Sequence, residues 1–302
     1  MKPAPFEYHD PTTLDQVLTL LARHGDEAKL LAGGQSLVPM LNMRLARPTV
    51  LIDLNRVDGL AYIREEAGVL AIGAMTRHAE IEESALVAAR QPLLAEAMRQ
   101  VGHIQIRNRG TIGGSLAHAD PSAELPAVML ALDASLVAAG PSGRRDIAAV
   151  DFFIMYYTTA LEPGELVVEV RVPVAAPTGY GWSFEEVARR HGDFALAGVA
   201  CALTVDSAGR VAECGLGLTG VGMTPVRAGG AEGLVCGRSG GPVVWAAAGD
   251  AVRNAVEPES DVHATAEYRR QLAGVLTHRA LARAYERACG GRAVAPKGGG
   301  GA

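Results

Sequence analysis

Leu30-Leu31-Ala32-Gly33-Gly34-Gln35-Ser36-Leu37 decides how the chain begins to fold. A short apolar run stops at two glycines, continues through two hydrogen-bonding side chains and enters an amphipathic segment. That order predicts a strand, a tight turn and a helix. Adjacent glycines allow positive φ and close approach to a ligand, because no Cβ intervenes. Backbone N–H groups gathered at such a turn form an anion-binding concavity, helped by the dipole of a following helix. A second double-glycine turn, Thr111-Ile112-Gly113-Gly114-Ser115, follows roughly eighty residues later. Together the two turns are expected to hold one long, phosphate-bearing ligand.

Working outward, Thr13-Leu14-Asp15-Gln16 fits a capping box for a helix over 12–25, with Leu14, Val17, Leu18 and Leu21 on one face and Gly25 at its end. The helix after the first glycine turn should bury Leu37, Met40, Leu41 and Leu45 and stop at Pro48. Val50 to Leu54 then reads as a buried strand. The first sixty residues are thus a strand–helix–strand unit with the glycine turn at its phosphate end.

Val69 to Ile72 is a further strand closed by Gly73, and Thr76 can cap a helix containing Ile81. His78, in that helix's first turn, reads either as a packing or capping residue or as a ligand contact. A helix from about Pro92 to Val101 leads to a loop bearing Arg107 and Arg109, which either steer a diphosphate or are simply solvated. Beyond Ser115, Asp120 with Pro121 fits an N-cap and N1 pair. Leu125, Val128, Met129 and Leu132 then mark an amphipathic helix. Asp120 and Glu124 are either helix-start carboxylates or acceptors for ribose or ribityl hydroxyls.

Leu136 to Ala139 and Leu166 to Pro173 read as strands, and Ala175 to Gly179 as a boundary. Past it, strands at Trp182–Val187, Ala197–Val205 and Val211–Val221 precede helices at about 242–256 and 263–288, the order of a small α+β domain. The glycine-rich end, 290–302, should be disordered.

The bulk properties narrow the function. A chain of 302 residues, 49% hydrophobic, accommodates two soluble domains. Its net charge of -5 argues against a nucleic-acid binder. No signal-like start and no long apolar stretch are present, so a cytoplasmic location is expected. Cys201, Cys214, Cys236 and Cys289 lie far apart with no C-x-x-C, which predicts structural thiols and no intrinsic metal. Gly215-Leu216-Gly217-Leu218-Thr219-Gly220 spells G-x-G-x-x-G, but leucines alternate with its glycines and Pro225 interrupts any immediate helix, so it reads as strand. No G-x-S-x-G, H-E-x-x-H or Walker A lysine occurs. With little acid–base machinery, no catalytic side chain is assigned, and a cofactor should supply the chemistry.

Ala32-Gly33-Gly34-Gln35-Ser36 and Thr111-Ile112-Gly113-Gly114-Ser115 resemble the paired flavin motifs of the medium, FAD-binding subunits of molybdenum hydroxylases, the family of the carbon monoxide dehydrogenase and xanthine dehydrogenase flavoproteins. Further blocks follow in family order: Leu51 to Leu54, Gly73 to His78, Ala119 to Pro126, Arg189 to Ala195 and Thr224 to Ala228. The resemblance covers nearly the whole chain. It implies an α+β fold: a vanillyl-alcohol-oxidase (PCMH) type FAD-binding domain over 1–176, with lobes of about 1–56 and 57–176, then a carbon monoxide dehydrogenase flavoprotein C-terminal-like domain over 177–289.

The cofactor-binding set it implies is Leu31, Ala32, Gly33, Gly34, Gln35, Ser36, Leu37, Thr111, Ile112, Gly113, Gly114, Ser115, Asp120 and Glu124, with Val101 and Val168 as apolar contacts. It implies FAD on this chain, a molybdenum cofactor on a large partner subunit and 2Fe-2S clusters on a small one, in a heterotrimer or a dimer of heterotrimers. The chain would then take electrons from the clusters and pass them to an external acceptor. The alternative is a stand-alone flavin oxidoreductase of the same fold. One departure is visible: Phe184-Glu185-Glu186-Val187 carries glutamates where relatives often place a lysine, which bears on flavin potential and acceptor.

Overall fold

The computed structural model describes residues 2–290. The expected tail beyond Gly290 lies outside them. Three sheets are stacked with helices between and outside them.

The first sheet holds β1 (Glu7–His9), β2 (Ala28–Leu31) and β3 (Val50–Asp53), with β3 central and both pairings parallel. Between β1 and β2 runs α1 (Leu14–His24), opened by the Thr13/Gln16 capping box and closed by Gly25, whose N–H reaches the Leu21 carbonyl. Between β2 and β3 runs α2 (Leu37–Asn42), completing the strand–helix–strand unit. This helix is shorter than its sequence pattern: Arg44 turns left-handed at φ 59, so Leu45 is 71% exposed and Pro48 has no helix to stop.

The second sheet is antiparallel, in the order β4 (Ile63–Glu66), β5 (Val69–Gly73), β10 (Leu166–Pro173), β6 (Ser135–Gly140), β7 (Gly143–Ala148). Strand β6 alternates strictly: Val137 and Ala139 join the first sheet's core, while Leu136 and Ala138 face the central core. The insertion between β5 and β6 is helical, with α3 (His78–Glu83), α4 (Ala85–Arg90), α5 (Pro92–Met98), α6 (Ile104–Arg107), α7 (Ile112–His118) and α8 (Glu124–Ala131). After β7 come α9 (Ala149–Phe152) and a small hairpin of β8 (Phe153–Met155) and β9 (Thr158–Thr159).

The third sheet, β11 (Tyr180–Ala188), β12 (Ala195–Val205), β13 (Val211–Thr219) and β14 (Val226–Arg227), is antiparallel throughout. One face packs on α11 (Pro242–Ala255) and α12 (Ala266–Ala288), preceded by the unanticipated α10 (Gly229–Val235). The other face meets α8. There β12 presents Gly198, Ala200 and Ala202, and β13 presents Gly215 and Gly217. A Cβ on Gly217 would stand 1.9 Å from the Ala127 carbonyl oxygen, and one on Gly215 2.1 Å from that of Ala131. The alternating glycines of the G-x-G-x-x-G run are therefore a landing strip for a helix backbone.

Several local expectations are corrected by these contacts. All eight residues of α8 are buried, because the helix lies between the second and third sheets and has no solvent face. Its N-cap is Ala123, not Asp120; the Asp120 carboxylate instead accepts from Ser122 N–H, closing a turn before the helix starts. Thr76 does not cap α3. Its hydroxyl is engaged by both the N–H and the carbonyl of Tyr62 at 3.0 Å. Residues 104–107 form α6 where a loop was expected. Among the described residues no helix is long and apolar enough to cross a membrane.

Candidate functional site

The first glycine segment leaves the end of β2 and lines a cavity of about 350 Å³ with Leu31, Ala32, Gly33, Gly34, Gln35, Val38, Pro39, Asp53, Asn55 and Arg109. Gly34 sits at φ +72, the left-handed conformation that reverses the chain between strand and helix. Gly33 is required for another reason. A Cβ there would lie 2.2 Å from the Arg109 carbonyl oxygen and 2.7 Å from Gly110 Cα. The two glycine segments are therefore in contact, Gly33 against residues 109–110 and Gly114 beside Ala32, whose Cβ is 3.3 Å from the position a Gly114 Cβ would take.

Their hydrogen bonding differs. Among the described residues the N–H groups of Gly33, Gly34, Gln35 and Ser36 have no protein acceptor, while the Gln35 side chain folds back onto the Gly33 carbonyl at 3.0 Å. Four successive free donors beside a cavity form a nest suited to an anion. The second segment is not a turn but the start of α7, with Thr111 as N-cap and no glycine at positive φ. Four of its five amides are engaged: Ile112 N–H with Thr76 O, Gly113 N–H with Ala74 O, Gly114 N–H with the Thr111 hydroxyl and Ser115 N–H with Thr111 O. This segment can offer shape and hydroxyls, whereas the first offers backbone donors.

The two loop arginines separate cleanly. Arg107 is structural: it pairs with Glu82 at 2.7 Å and donates to the carbonyls of Val101 and Gly102. Arg109 is exposed and contributes to the cavity wall. His78 is 4% exposed beneath this loop, with its N–H on the Gly110 carbonyl at 2.9 Å, and burial pushes its imidazole down to about 4. It is a neutral packing residue.

Helix α7 carries the chain about 10 Å away from the glycine contact, at 1.5 Å per residue. At its far end are Asp120 and Glu124, 7% and 4% exposed. Burial first, and the nearby Glu186 carboxylate second, push Glu124 up to about 8. Burial pushes Glu186 up to about 7, and its Oε2 is enclosed without a partner. The neighbouring Glu185 is bound to Arg283 at 2.7 Å. Tyr157, at φ 53, lies with its ring 5.1 Å from His118 and donates its hydroxyl to Asp120 at 3.4 Å. Sequence periodicity gives no hint of this tyrosine, which reaches the site from the β8–β9 hairpin.

A carboxyl group with a raised pKa stabilises the fold while it is protonated in the folded state. Glu124's contribution is complete below its ordinary value of 4.5 and is lost as pH rises through about 8. Glu124→Gln keeps the neutral form at every pH. The variant should therefore gain over the parent across that range, by about 1–2 kcal/mol or a few degrees in Tm at the alkaline end, with Glu186 supplying the residual slope. Thermal unfolding from pH 5 to 8.5 checks this; parallel profiles would show that Glu124 ionises normally.

The remaining positions of the expected set fall outside the cavity wall. Val101 is in the central core behind α5, and Val168 is in β10 within the first sheet's core. Val168 still touches the site through its backbone, since its carbonyl accepts from Ala74 N–H at 3.0 Å, and a Cβ on Gly113 would lie 2.5 Å from Ala74 Cβ. Ser36 and Leu37 begin α2 just beyond the turn.

Residues 4–175 match the model of the FAD binding domain in molybdopterin dehydrogenase, and residues 182–284 that of the CO dehydrogenase flavoprotein C-terminal domain. The chain is 44% identical over 288 residues to 6-hydroxypseudooxynicotine dehydrogenase complex subunit alpha of Paenarthrobacter nicotinovorans, covering 95% of this chain and 97% of the relative. It is 42% identical to the carbon monoxide dehydrogenase medium chain of Hydrogenophaga pseudoflava, covering 95% and 99%. The solved carbon monoxide dehydrogenase of that organism superimposes with a TM-score of 0.93, covering 95% of this chain and 99% of the other. Quinoline 2-oxidoreductase of Pseudomonas putida 86 superimposes with a TM-score of 0.90 at 38% identity, covering 95% and 99%.

Proposed function

The chain belongs to the FAD-binding medium subunits of molybdenum hydroxylases, and on that premise we propose that it serves as the electron outlet of such a complex. In this reading, residues 1–176 carry the cofactor, residues 177–289 pack against them, and a molybdenum subunit and a 2Fe-2S subunit complete the assembly. Bound FAD supplies the redox chemistry, since it exchanges one electron at a time with clusters and two with an acceptor.

The residues present fit this group. The observation that carries the reading is the set of four unengaged N–H groups at Gly33–Ser36, beside a cavity whose wall includes Arg109. A dianionic diphosphate is a natural occupant of such donors, and the two glycines allow the turn that presents them to form against residues 109–110. Thr111–Ser115 would close the opposite side with the Ser115 side chain and the small face of Gly114. Glu124 and Asp120, about one short helix away, are spaced to accept hydrogen bonds from sugar-alcohol or ribose hydroxyls; a protonated Glu124 can also donate one. Leu31, Leu37, Val101 and Val168 would act as apolar framing.

No acid–base pair for substrate oxidation is assigned to this chain, so the oxidised substrate should be handled by the molybdenum subunit. Isolation from the native host through a tag on this chain tests the arrangement. The expected preparation contains FAD, molybdenum and iron, and flavin removal stops reduction of the external acceptor while cluster reduction by substrate persists. A chain that purifies alone with FAD and reduces an acceptor unaided would favour the stand-alone flavoenzyme.

A further inference from the structure

The two glycine segments touch, yet among the described residues no direct hydrogen bond joins them. Their connection runs through two side chains outside both motifs. Asn55, just after β3, donates its side-chain amide to the Ala32 carbonyl at 3.0 Å and accepts from Arg77 at 2.5 Å. Arg77, just before α3, donates its other terminal nitrogen to the Arg109 carbonyl oxygen. That oxygen is the atom a Cβ on Gly33 would strike. One polar chain, Ala32 O to Asn55 to Arg77 to Arg109 O, thus spans the gap from the residue before the first glycine pair to Arg109 in the cavity wall.

Each link is held from outside. The Asp53 carboxylate accepts from the Asn55 backbone and side-chain N–H groups, and its other oxygen accepts from the Tyr8 hydroxyl at 2.7 Å. Arg77 is fixed by its own N–H to Glu80 at 2.9 Å and by an antiparallel β-bridge opposite Thr111, whose hydrogen bonds are made by His78 and Ile112. The asparagine's orientation is dictated as well, because its NH2 must face the Ala32 carbonyl and its oxygen the guanidinium. Asn55 belongs to the first sheet's layer and Arg77 to the second's, so the pair spans the junction between them.

We propose that Asn55 and Arg77 are positioning residues that set the register between the two glycine segments, and so determine how well the donors of Gly33–Ser36 and the Arg109 side chain converge on a diphosphate. The inference rests on the FAD reading given above. It explains why the second segment can matter although the amides of Ile112–Ser115 are engaged: its placement, rather than its hydrogen bonding, completes the site. Burial first, and the nearby Arg109 guanidinium second, lower the proton affinity of Arg77, so an anion beside Arg109 relieves repulsion in addition to meeting free donors.

The test uses the complex isolated through this chain, stripped of flavin and titrated with FAD, in the parent and in Asn55→Ala, Arg77→Met, Arg77→Lys and the Asn55→Ala/Arg77→Met double variant. Either single truncation is expected to weaken FAD binding about 10- to 50-fold, the effect of losing two hydrogen bonds of the chain, at least one of them from a guanidinium. Arg77→Lys should recover part of the loss by keeping one link. The double variant should be little worse than Arg77→Met alone, because both truncations break the same chain. Bound-FAD phosphorus resonances should shift in the truncated forms, with the flavin-free unfolding midpoint close to that of the parent. Unchanged affinity and phosphorus spectra in both truncations, beside a parent that binds FAD, would overturn the inference alone. So would losses that add fully and track the unfolding midpoint, the mark of general destabilisation. A parent complex that binds no FAD would instead overturn the reading beneath it.

Discussion

Gly33→Val is expected to abolish FAD retention while leaving the chain folded. The first atom of the new side chain would have to occupy a point 2.2 Å from the Arg109 carbonyl oxygen and 2.7 Å from Gly110 Cα. Both are backbone atoms, held by the Arg77 hydrogen bond and by the start of α7. Neither can swing aside as a side-chain tip could. The two segments must separate, and the nest at Gly33–Ser36 then no longer faces Arg109. Overpacking of this kind costs about 3 kcal/mol, which is a loss of about 100-fold or more in FAD affinity. The turn lies at the surface end of β2 and adds little to the core, so circular dichroism should be near that of the parent. Equilibrium dialysis with FAD checks the first part, and thermal unfolding the second. Full flavin occupancy in this variant would show that the contact between the segments is not part of the site.

Gly217→Val should have the opposite character, with stability lost and the glycine segments themselves intact. Its Cβ would meet the Ala127 carbonyl oxygen at 1.9 Å, in the middle of a helix buried on every side. Helix α8 is trapped between the second and third sheets and cannot withdraw. The variant should lose about 3 kcal/mol or more and accumulate as insoluble protein. Gly233→Ala is the matching control. It lies in α10 with open space around it and no positive φ, so it should gain about 0.4–1 kcal/mol. Denaturant unfolding of the soluble fractions measures both. A Gly217→Val chain as stable as the parent would mean that α8 does not sit on β13.

Much of this organisation can be read from local sequence because it depends on local physics. The Thr13/Gln16 box, the Gly25 cap and the order β2–turn–α2–β3 follow from capping chemistry, periodicity and glycine backbone freedom. The alternating leucines identify Gly215–Thr219 as strand, with Gly220 turning out of it, though only the structure shows that Gly215 and Gly217 receive α8. The second glycine segment is legible as important but not in shape. A glycine pair beside serine reads as a turn, whereas Thr111 places its hydroxyl on Gly114 N–H and begins a helix. Helix α8 looks amphipathic because Leu125, Val128 and Met129 share a stripe, and nothing nearby in sequence reveals the second sheet covering its other face.

Long-range partners are the least visible. Asn55 and Arg77 are 22 positions apart, and no periodic pattern connects them. Tyr157 reaches Asp120 across 37 positions from a separate hairpin. Glu186 stands out in the sequence only as a residue where a lysine was expected. Its effect on Glu124 depends on the third sheet packing beside α8. The residues that form the first turn can be found from their types and spacing. Those that hold it in register cannot.

The central claim is that Gly33–Ser36, closed against Arg109 and the start of α7, is the seat of the FAD diphosphate. The most direct measurement is an absorbance titration of the flavin-stripped complex with FAD in the presence and absence of excess ADP, which carries the same diphosphate without the flavin. The account predicts a perturbed flavin spectrum that saturates at one FAD per chain and is displaced competitively by ADP. A spectrum that stays that of free FAD throughout, or saturation that ADP does not affect, would contradict it.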